Sequence, residues 1–432
     1  MVREMIQEFL RINRLKGQLQ LPGDKSISHR SVMFSSLAEG KSEIYNYLES
    51  ADINSTIGCF RDMGIEIEKT EEKIVVHGKG LYGLTAPSKE LDCGNSGTTA
   101  RLITGILAAQ KFESTLIGDE SLSKRPMNRV IDPLSLMGAK FKTNEKQTLP
   151  LTILPSGNFH AIDYTMTVAS AQVKSCVLLA GLFLSETTKV TETKSTRNHT
   201  ENLLGLAVEE KTGERLISIN NTFAPKAAIY NVPSDVSTSA FFIVLASLIK
   251  ESELKLTNVL LNETRNGIVT IMQRMGADIT IENKQTREGE VSGDLIICGG
   301  KLKNCEIEPE IIPNIIDEIP VLSIAGIFAE GKFVIRNAHE LRVKETDRIS
   351  AVCNNLKLLG LNVEEYEDGF SVEGEITNYD NLLFESYDDH RIAMAFGILS
   401  SLLPNGGRIN NYESVNISNP EFLTQLKKIT VE

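Results

Sequence analysis

Apolar residues fall along this chain in two alternating kinds of run. One is a block that is apolar on most sides and rich in alanine, opened by small polar residues. It occurs as GDKSISHRSVMFSSLAEG, GNSGTTARLITGILAAQ, ASAQVKSCVLLAGLFL, SDVSTSAFFIVLASLI, IDEIPVLSIAGIFAEG and YDDHRIAMAFGILSSLL. In the last of these, Ile392, Ala395, Phe396, Leu399 and Leu402 keep the spacing of one helical face. The composition predicts helices buried against sheets. The other run is a helix end, a glycine and an alternating strand, as in FRDMGIEIE, LSLMGAKFK, NLLGLAVEE, MQRMGADIT and LKLLGLNVE. Its glycines, Gly64, Gly138, Gly205, Gly276 and Gly360, are predicted left-handed helix caps. The alternation of Ile65 and Ile67 predicts a half-buried strand.

The two runs interleave as six copies of one plan, recurring roughly every 70 residues. Ser26, Ser96, Ser170, Ser237, Asp317 and Asp389 stand at comparable helix starts. The sixth helix, near PEFLTQLKKI, runs out of chain before its strand, which the N-terminus around Leu19 and Leu21 is expected to supply. A chain of 432 residues exceeds one ordinary core. Three copies per domain give the division 1–21 with 234–432, and 22–233, with crossings near Pro22 and Pro233.

Composition narrows the class. The chain is 41% hydrophobic and 24% charged, as globular proteins are. No apolar run reaches membrane-spanning length, and MVREMIQEFLRINRLKG lacks the apolar centre of a secretory signal, so a cytoplasmic protein without membrane partners is expected. The six cysteines form no C-x-x-C pair and the six histidines no ligand spacing, so neither metal nor cofactor is implied. A net charge of −12 argues against nucleic acid, yet an acidic protein can bind anions in a local cationic cleft.

The helix starts hold that chemistry. A helix N-terminus presents unpaired N–H groups and partial positive charge, which suits anions. Cations accompany several of them: Lys25 and Arg30, Arg101, Lys174, and His390 with Arg391. Lys344 and Arg348 are four apart, on one face if LRVKETDRI is helical; Arg125 and Arg129 in KRPMNRV share the spacing, with Pro126 suited to a first turn. Like charges so placed repel mildly, which an anionic ligand would offset. GDKS is not a P-loop, since Asp24 separates Gly23 from Lys25, and GNSGTT is not a dinucleotide fingerprint.

LPGDKSISHR, GNSGTTARL, KRPM, SAQ, RVKETDR and DDHR, in this order and spacing, resemble the signature segments of the 5-enolpyruvylshikimate-3-phosphate synthase family, over essentially the whole chain. The resemblance implies an α/β fold, a two-domain inside-out α/β barrel with three β-α-β-α-β-β units per domain and the active site in the interdomain cleft. It implies a monomer acting on two small molecules, phosphoenolpyruvate and shikimate 3-phosphate. By motif, Lys25, Ser26, Arg30, Ser170, Ala171, Gln172, Thr196, Arg197, Asp317, Glu340 and Lys344 would hold shikimate 3-phosphate. Lys25, Asn95, Gly97, Arg125, Gln172, Arg348 and Arg391 would hold phosphoenolpyruvate. Asp317 would trade a proton with the 5-hydroxyl and Glu345 with the methylene, Lys25 completing the catalytic set. A neighbouring Glu318 competes with Asp317 for the alignment, and a helix cap is the structural alternative for Asp317.

The chain departs from the family pattern in places. Ala171 stands where many relatives have a second serine, Thr196 where serine is usual, Glu340 for an asparagine and Leu102 for a proline. Ile417 occupies the place of a lysine that contacts phosphoenolpyruvate. Two rivals differ in their requirements. A UDP-N-acetylglucosamine enolpyruvyl transferase has K-N where this chain has Lys25-Ser26, and a cysteine in its mobile loop that residues 112–127 lack. A non-catalytic phosphometabolite-binding repeat protein would have no use for Asp317 and Glu345. The resemblance also implies glyphosate binding in place of phosphoenolpyruvate, with Gly97 permitting its close approach.

Overall fold

A computed structural model describes residues 5–211 and 213–431. The chain divides into two compact units, one of residues 1–22, 234–285 and 291–432, the other of 23–233 and 286–290. Among the described residues, each unit contains three small sheets.

In the second unit the plan repeats cleanly. A strand lies parallel to the next and a hairpin completes the sheet. Asp163–Thr165 pairs in parallel with Thr188–Glu192, and Glu214–Ile219 joins antiparallel before Val208–Lys211. Ile229–Asn231 closes the first sheet by pairing with Glu39–Tyr45. In the first unit Lys16–Gln20 pairs in parallel with Glu253–Leu260. The sixth copy takes its antiparallel strand from Gln7–Phe9, laid on Gly407–Asn410. The N-terminus therefore does supply the missing strand, but Gln7–Phe9 lies twelve residues before the expected Leu19 and Leu21. Leu19 belongs to a different sheet.

The six alanine-rich blocks are helices: Lys25–Leu37, Gly97–Ala108, Ala171–Gly181, Val236–Leu248, Ile319–Phe328 and His390–Leu402. They are buried on one another as well as on sheets, which explains why they are apolar on most sides. Gly105 marks one such approach, since a Cβ there would lie 2.2 Å from the carbonyl oxygen of Cys176 on the neighbouring core helix. All five predicted cap glycines have positive φ, from 65° at Gly205 to 93° at Gly276.

Side-chain caps open five of the core helices. Ser96 and Ser170 accept from the third residue on, and Asp389 from Arg391 and Ile392. In the first and fourth copies the cap is Asp24 or Asp235, two residues before the expected Ser26 and Ser237. A carboxylate suits that place because it complements the helix dipole. The fifth helix has no side-chain cap, so Asp317 is not one. No helix among the described residues is long and apolar enough to cross a membrane.

Candidate active site

The site residues form two cationic sets, one in each unit. In the second unit, Lys25 is the first residue of its helix and pairs with Asp52. Asp52 is held in turn by its carbonyl, which accepts from Thr99 at 3.4 Å. Ser26 is half-buried on the same turn. Arg30 is 4% exposed and donates to Thr200, to the carbonyl of Ser26 and to Ser175 at 2.7–3.0 Å. Burial lowers its pKa to about 10. Its donors thus join the first and third core helices to the helix His199–Leu204, rather than facing solvent.

The GNSG turn leads into the second core helix. Asn95 donates to Asp119 and accepts from Arg125, which also bonds Ser121. Arg101 donates to Oε1 of Gln172 at 2.8 Å, and Gln172 donates to Thr98. Burial, then Arg125 and Arg129, lower the Arg101 pKa to about 10. Three arginines and a glutamine so gathered suit an anion. Arg125 and Arg129 do not share a helix: Arg125 ends the 3-10 turn Leu122–Lys124, and Asn128 begins the next helix. Pro126 lies before that helix.

At the third core helix, Ser170 caps Val173 and half-buried Ala171 and Gln172 form the first turn. Thr196 and Arg197 lie on the loop before His199–Leu204. Lys174 corrects the expectation of a cation at this helix start. It is fully buried and paired with Glu192 and Glu201 at 2.9 and 2.6 Å.

In the first unit Arg348 is the centre. Its Nε donates to Asp389, Nη1 to Asp317 at 3.2 Å and Nη2 to Glu345 at 2.6 Å. Burial works against its charge, but Asp389, Glu345 and Asp317 outweigh it and raise its pKa. Lys344 lies 3.6 Å from Asp317 and 3.0 Å from Glu340. Lys344 and Arg348 meet on Asp317 although they share no helix, for Lys344 follows the 3-10 turn His339–Val343 and the next helix starts at Arg348. Arg391 donates to the carbonyl of Asp317 and lies 3.8 Å from Glu318.

Two adjacent carboxylates are separated here. Asp317 faces the cations. Glu318 is 1% exposed and accepts from Ser237, and burial pushes its carboxyl up. Glu345 behaves oppositely. Desolvation would raise its pKa, but Arg348, His390 and Arg391 push it down to about 2. Ile417 is exposed at the end of the turn Tyr412–Ile417 and offers no cation.

Asp52 and Asp389, each paired with a site cation, and Asp119, which accepts from Asn95, carried no local sequence signal as partners, because 24 to 41 residues separate the pairs. Strand pairing also brings Glu66, Glu68 and His77 within 4.8 Å of one another, a grouping their sequence spacing does not show. It shares no residue with the candidate site.

The fold is one that an enolpyruvyl transferase structure also has. The enolpyruvyl transferase NikO from Streptomyces tendae has the same fold, with TM-score 0.75 over 99% of this chain and 98% of its own, at 14% identity. The chain belongs to the EPSP synthase family, whose activity is 3-phosphoshikimate 1-carboxyvinyl transfer. The model of EPSP synthase (3-phosphoshikimate 1-carboxyvinyltransferase) matches residues 10–426. The 3-phosphoshikimate 1-carboxyvinyltransferase of Salinibacter ruber is 45% identical over 99% of this chain and all of its own. That of Bacillus licheniformis is 47% identical over 97% and 98%. The EPSP synthase structure from Acinetobacter baumannii superposes with TM-score 0.90 at 40% identity, over 99% and 98%.

Proposed function

We propose that the chain transfers the enolpyruvyl group of phosphoenolpyruvate to the 5-hydroxyl of shikimate 3-phosphate, releasing phosphate, in the shikimate pathway to aromatic amino acids. In this reading the fold is the inside-out α/β barrel of three units per domain, and both cationic sets serve one reaction. The hydroxyl adds to C2 while C3 is protonated, and loss of phosphate from the tetrahedral adduct gives the enolpyruvyl ether. Two phosphates and two carboxylates must be held close, which calls for many charged donors.

The observation that carries the reading is Asp317, a carboxylate aimed at Lys344 and Arg348 and not used as a cap. A protein that only bound anions would gain nothing from it. Asp317 takes the proton of the 5-hydroxyl, a role within hydrogen-bond reach of a substrate held by Lys344. Glu345 gives a proton to the methylene, but a carboxyl pushed down to about 2 is a poor acid. Arg348 is the largest cause of that lowering, so an anion that pairs with Arg348 weakens its hold and raises the Glu345 pKa. Phosphoenolpyruvate binding thus prepares its own proton donor. Lys25, Arg125, Gln172 and Arg391 share the anionic charge, Asn95 and Gly97 border it, and Ser26, Ser170, Ala171, Arg197 and Glu340 frame shikimate 3-phosphate. Arg30, spent on Ser26, Ser175 and Thr200, braces that frame.

The test is phosphate release by the purified chain with both substrates, with either alone, and with UDP-N-acetylglucosamine as acceptor. Release only with phosphoenolpyruvate and shikimate 3-phosphate together is expected. Turnover with the sugar nucleotide instead would overturn the reading.

A further inference from the structure

Lys174 takes no part in the chemistry proposed above, yet it is tied to a loop that does. It lies one turn into the third core helix, four residues beyond Ser170, and is fully buried. Its Nζ pairs with Glu192 Oε1 and Glu201 Oε1 and lies 3.5 Å from the carbonyl oxygen of Thr196. Glu192 ends the strand Thr188–Glu192 and Glu201 sits in the helix His199–Leu204. Three elements therefore meet on one ammonium group.

The same Glu192 oxygen accepts from the backbone N–H of Thr196 at 3.2 Å and from its hydroxyl at 2.5 Å. The loop is gripped at the N–H, the carbonyl and the side chain of a single residue, next to Arg197. A threonine hydroxyl has one proton to donate. Here it goes to Glu192, and only lone pairs remain to face an incoming phosphate. In this arrangement Thr196 anchors the loop through Glu192.

We propose that Lys174, Glu192 and Glu201 form an ionic clamp that fixes the 193–198 loop against the third core helix, and thereby sets the affinity for the phosphate of shikimate 3-phosphate. The inference rests on the reading that Arg197 and the first turn after Ser170 hold that phosphate. Lys174, Glu192 and Glu201 are positioning residues: they touch the loop and the helix, not the substrate. A clamp of buried charges suits this task because a partly broken one leaves an uncompensated charge, so intermediate geometries are unfavourable.

The test is steady-state kinetics of the full chain with shikimate 3-phosphate and with shikimate, which lacks the phosphate, at saturating phosphoenolpyruvate. Two variants are used. Lys174→Met/Glu201→Gln removes the cation together with one carboxylate and leaves Glu192 with Arg215, 3.8 Å away, as its cationic neighbour. Glu192→Gln keeps the side-chain shape and leaves Lys174 paired with Glu201, which preserves the test should the double variant not fold. Each is expected to lower kcat/KM for shikimate 3-phosphate at least about tenfold, through KM. For shikimate the change stays within about twofold, as does KM for phosphoenolpyruvate. An equal fall for both acceptors would mean general damage, and no fall would mean an idle clamp; either overturns the proposal. Arg197→Ala separates the two layers of the argument. If it erases the preference for the phosphorylated acceptor while the clamp variants keep it, the clamp alone is wrong. If it keeps the preference, the assignment of the phosphate to this loop is wrong and the clamp falls with it.

Discussion

A Cβ built on Gly97 lies 2.7 Å from Nη1 of Arg101 and 3.8 Å from Nη1 of Arg125. Arg101 is the far end of a flexible side chain, so it can yield, but it is the group that holds Gln172. The cost of a methyl at this position thus falls on the anion site and not on the fold. Gly97→Ala is expected to weaken inhibition by glyphosate, competitive with phosphoenolpyruvate, at least about tenfold, or roughly 1.4 kcal/mol. An unchanged inhibition constant would show that the turn does not face the ligand. Asp317→Ala is expected to lower kcat by roughly 10²-fold or more with little change in thermal stability, since Arg348 keeps Asp389 and Glu345 as partners. Near-normal kcat would mean that Asp317 only steadies its cations. The sequence could not separate Asp317 from Glu318, because adjacent carboxylates at a helix start look alike. Burial separates them: Glu318 turns inward to Ser237, and Asp317 to Lys344 and Arg348.

Helix ends show what local pattern can and cannot reveal. The cap glycines were legible because a left-handed residue after an apolar periodic run is a local requirement. What each glycine packs against was not. A Cβ on Gly138 would lie 2.1 Å from the carbonyl oxygen of Asn158, whereas one on Gly205 would meet nothing within 4 Å. Gly205→Ala should therefore cost only the left-handed strain, about 1–2 kcal/mol. Gly138→Ala should cost clearly more, as chemical denaturation of both variants can show. The helix start at His390 makes a different prediction. Burial, then Arg391 and Arg348, lower the His390 pKa to about 4 against the opposing pull of Asp389. An unfolded histidine takes up its proton near about 6.5. Between those values the unfolded chain binds the extra proton, so stability is complete above about pH 6.5 and declines as pH falls toward 4. Glu345, depressed to about 2, extends the decline below the ordinary glutamate range. The His390 ring resonances should stay constant between about pH 5.5 and 8; a midpoint near 6.5 would refute its burial as a neutral group.

On the scale of the whole chain, the sixfold plan was readable because each copy repeats the same polar start, apolar helix and glycine. The pairings that close it were not, since they join residues far apart in the sequence. Gln7–Phe9 on Gly407–Asn410 is one case. The hairpin of Asp278–Arg287 and Glu290–Cys298 is another, for its tip, 286–290, groups with the other unit, where Glu290 bonds His199 at 2.8 Å. Nothing local in EGE marks a residue whose partner lies 91 positions back.

The N-terminal strands also set an order of events during synthesis. Residues 23–233 leave the ribosome as one stretch and hold all but a five-residue tip of their unit. Gln7–Phe9 and Lys16–Gln20 emerge before any of their partners exist. Lys16–Gln20 waits for Glu253–Leu260, and Gln7–Phe9 for Gly407–Asn410. Phe9 then reaches Tyr412, with ring centroids 5.5 Å apart, and Arg14 accepts a hydrogen bond from Val431. Until Gly407–Asn410 is made, Gln7–Phe9 lacks the strand it pairs with. Nascent chains stalled before residue 407 should therefore remain cleavable near Phe9 while 23–233 already resists digestion.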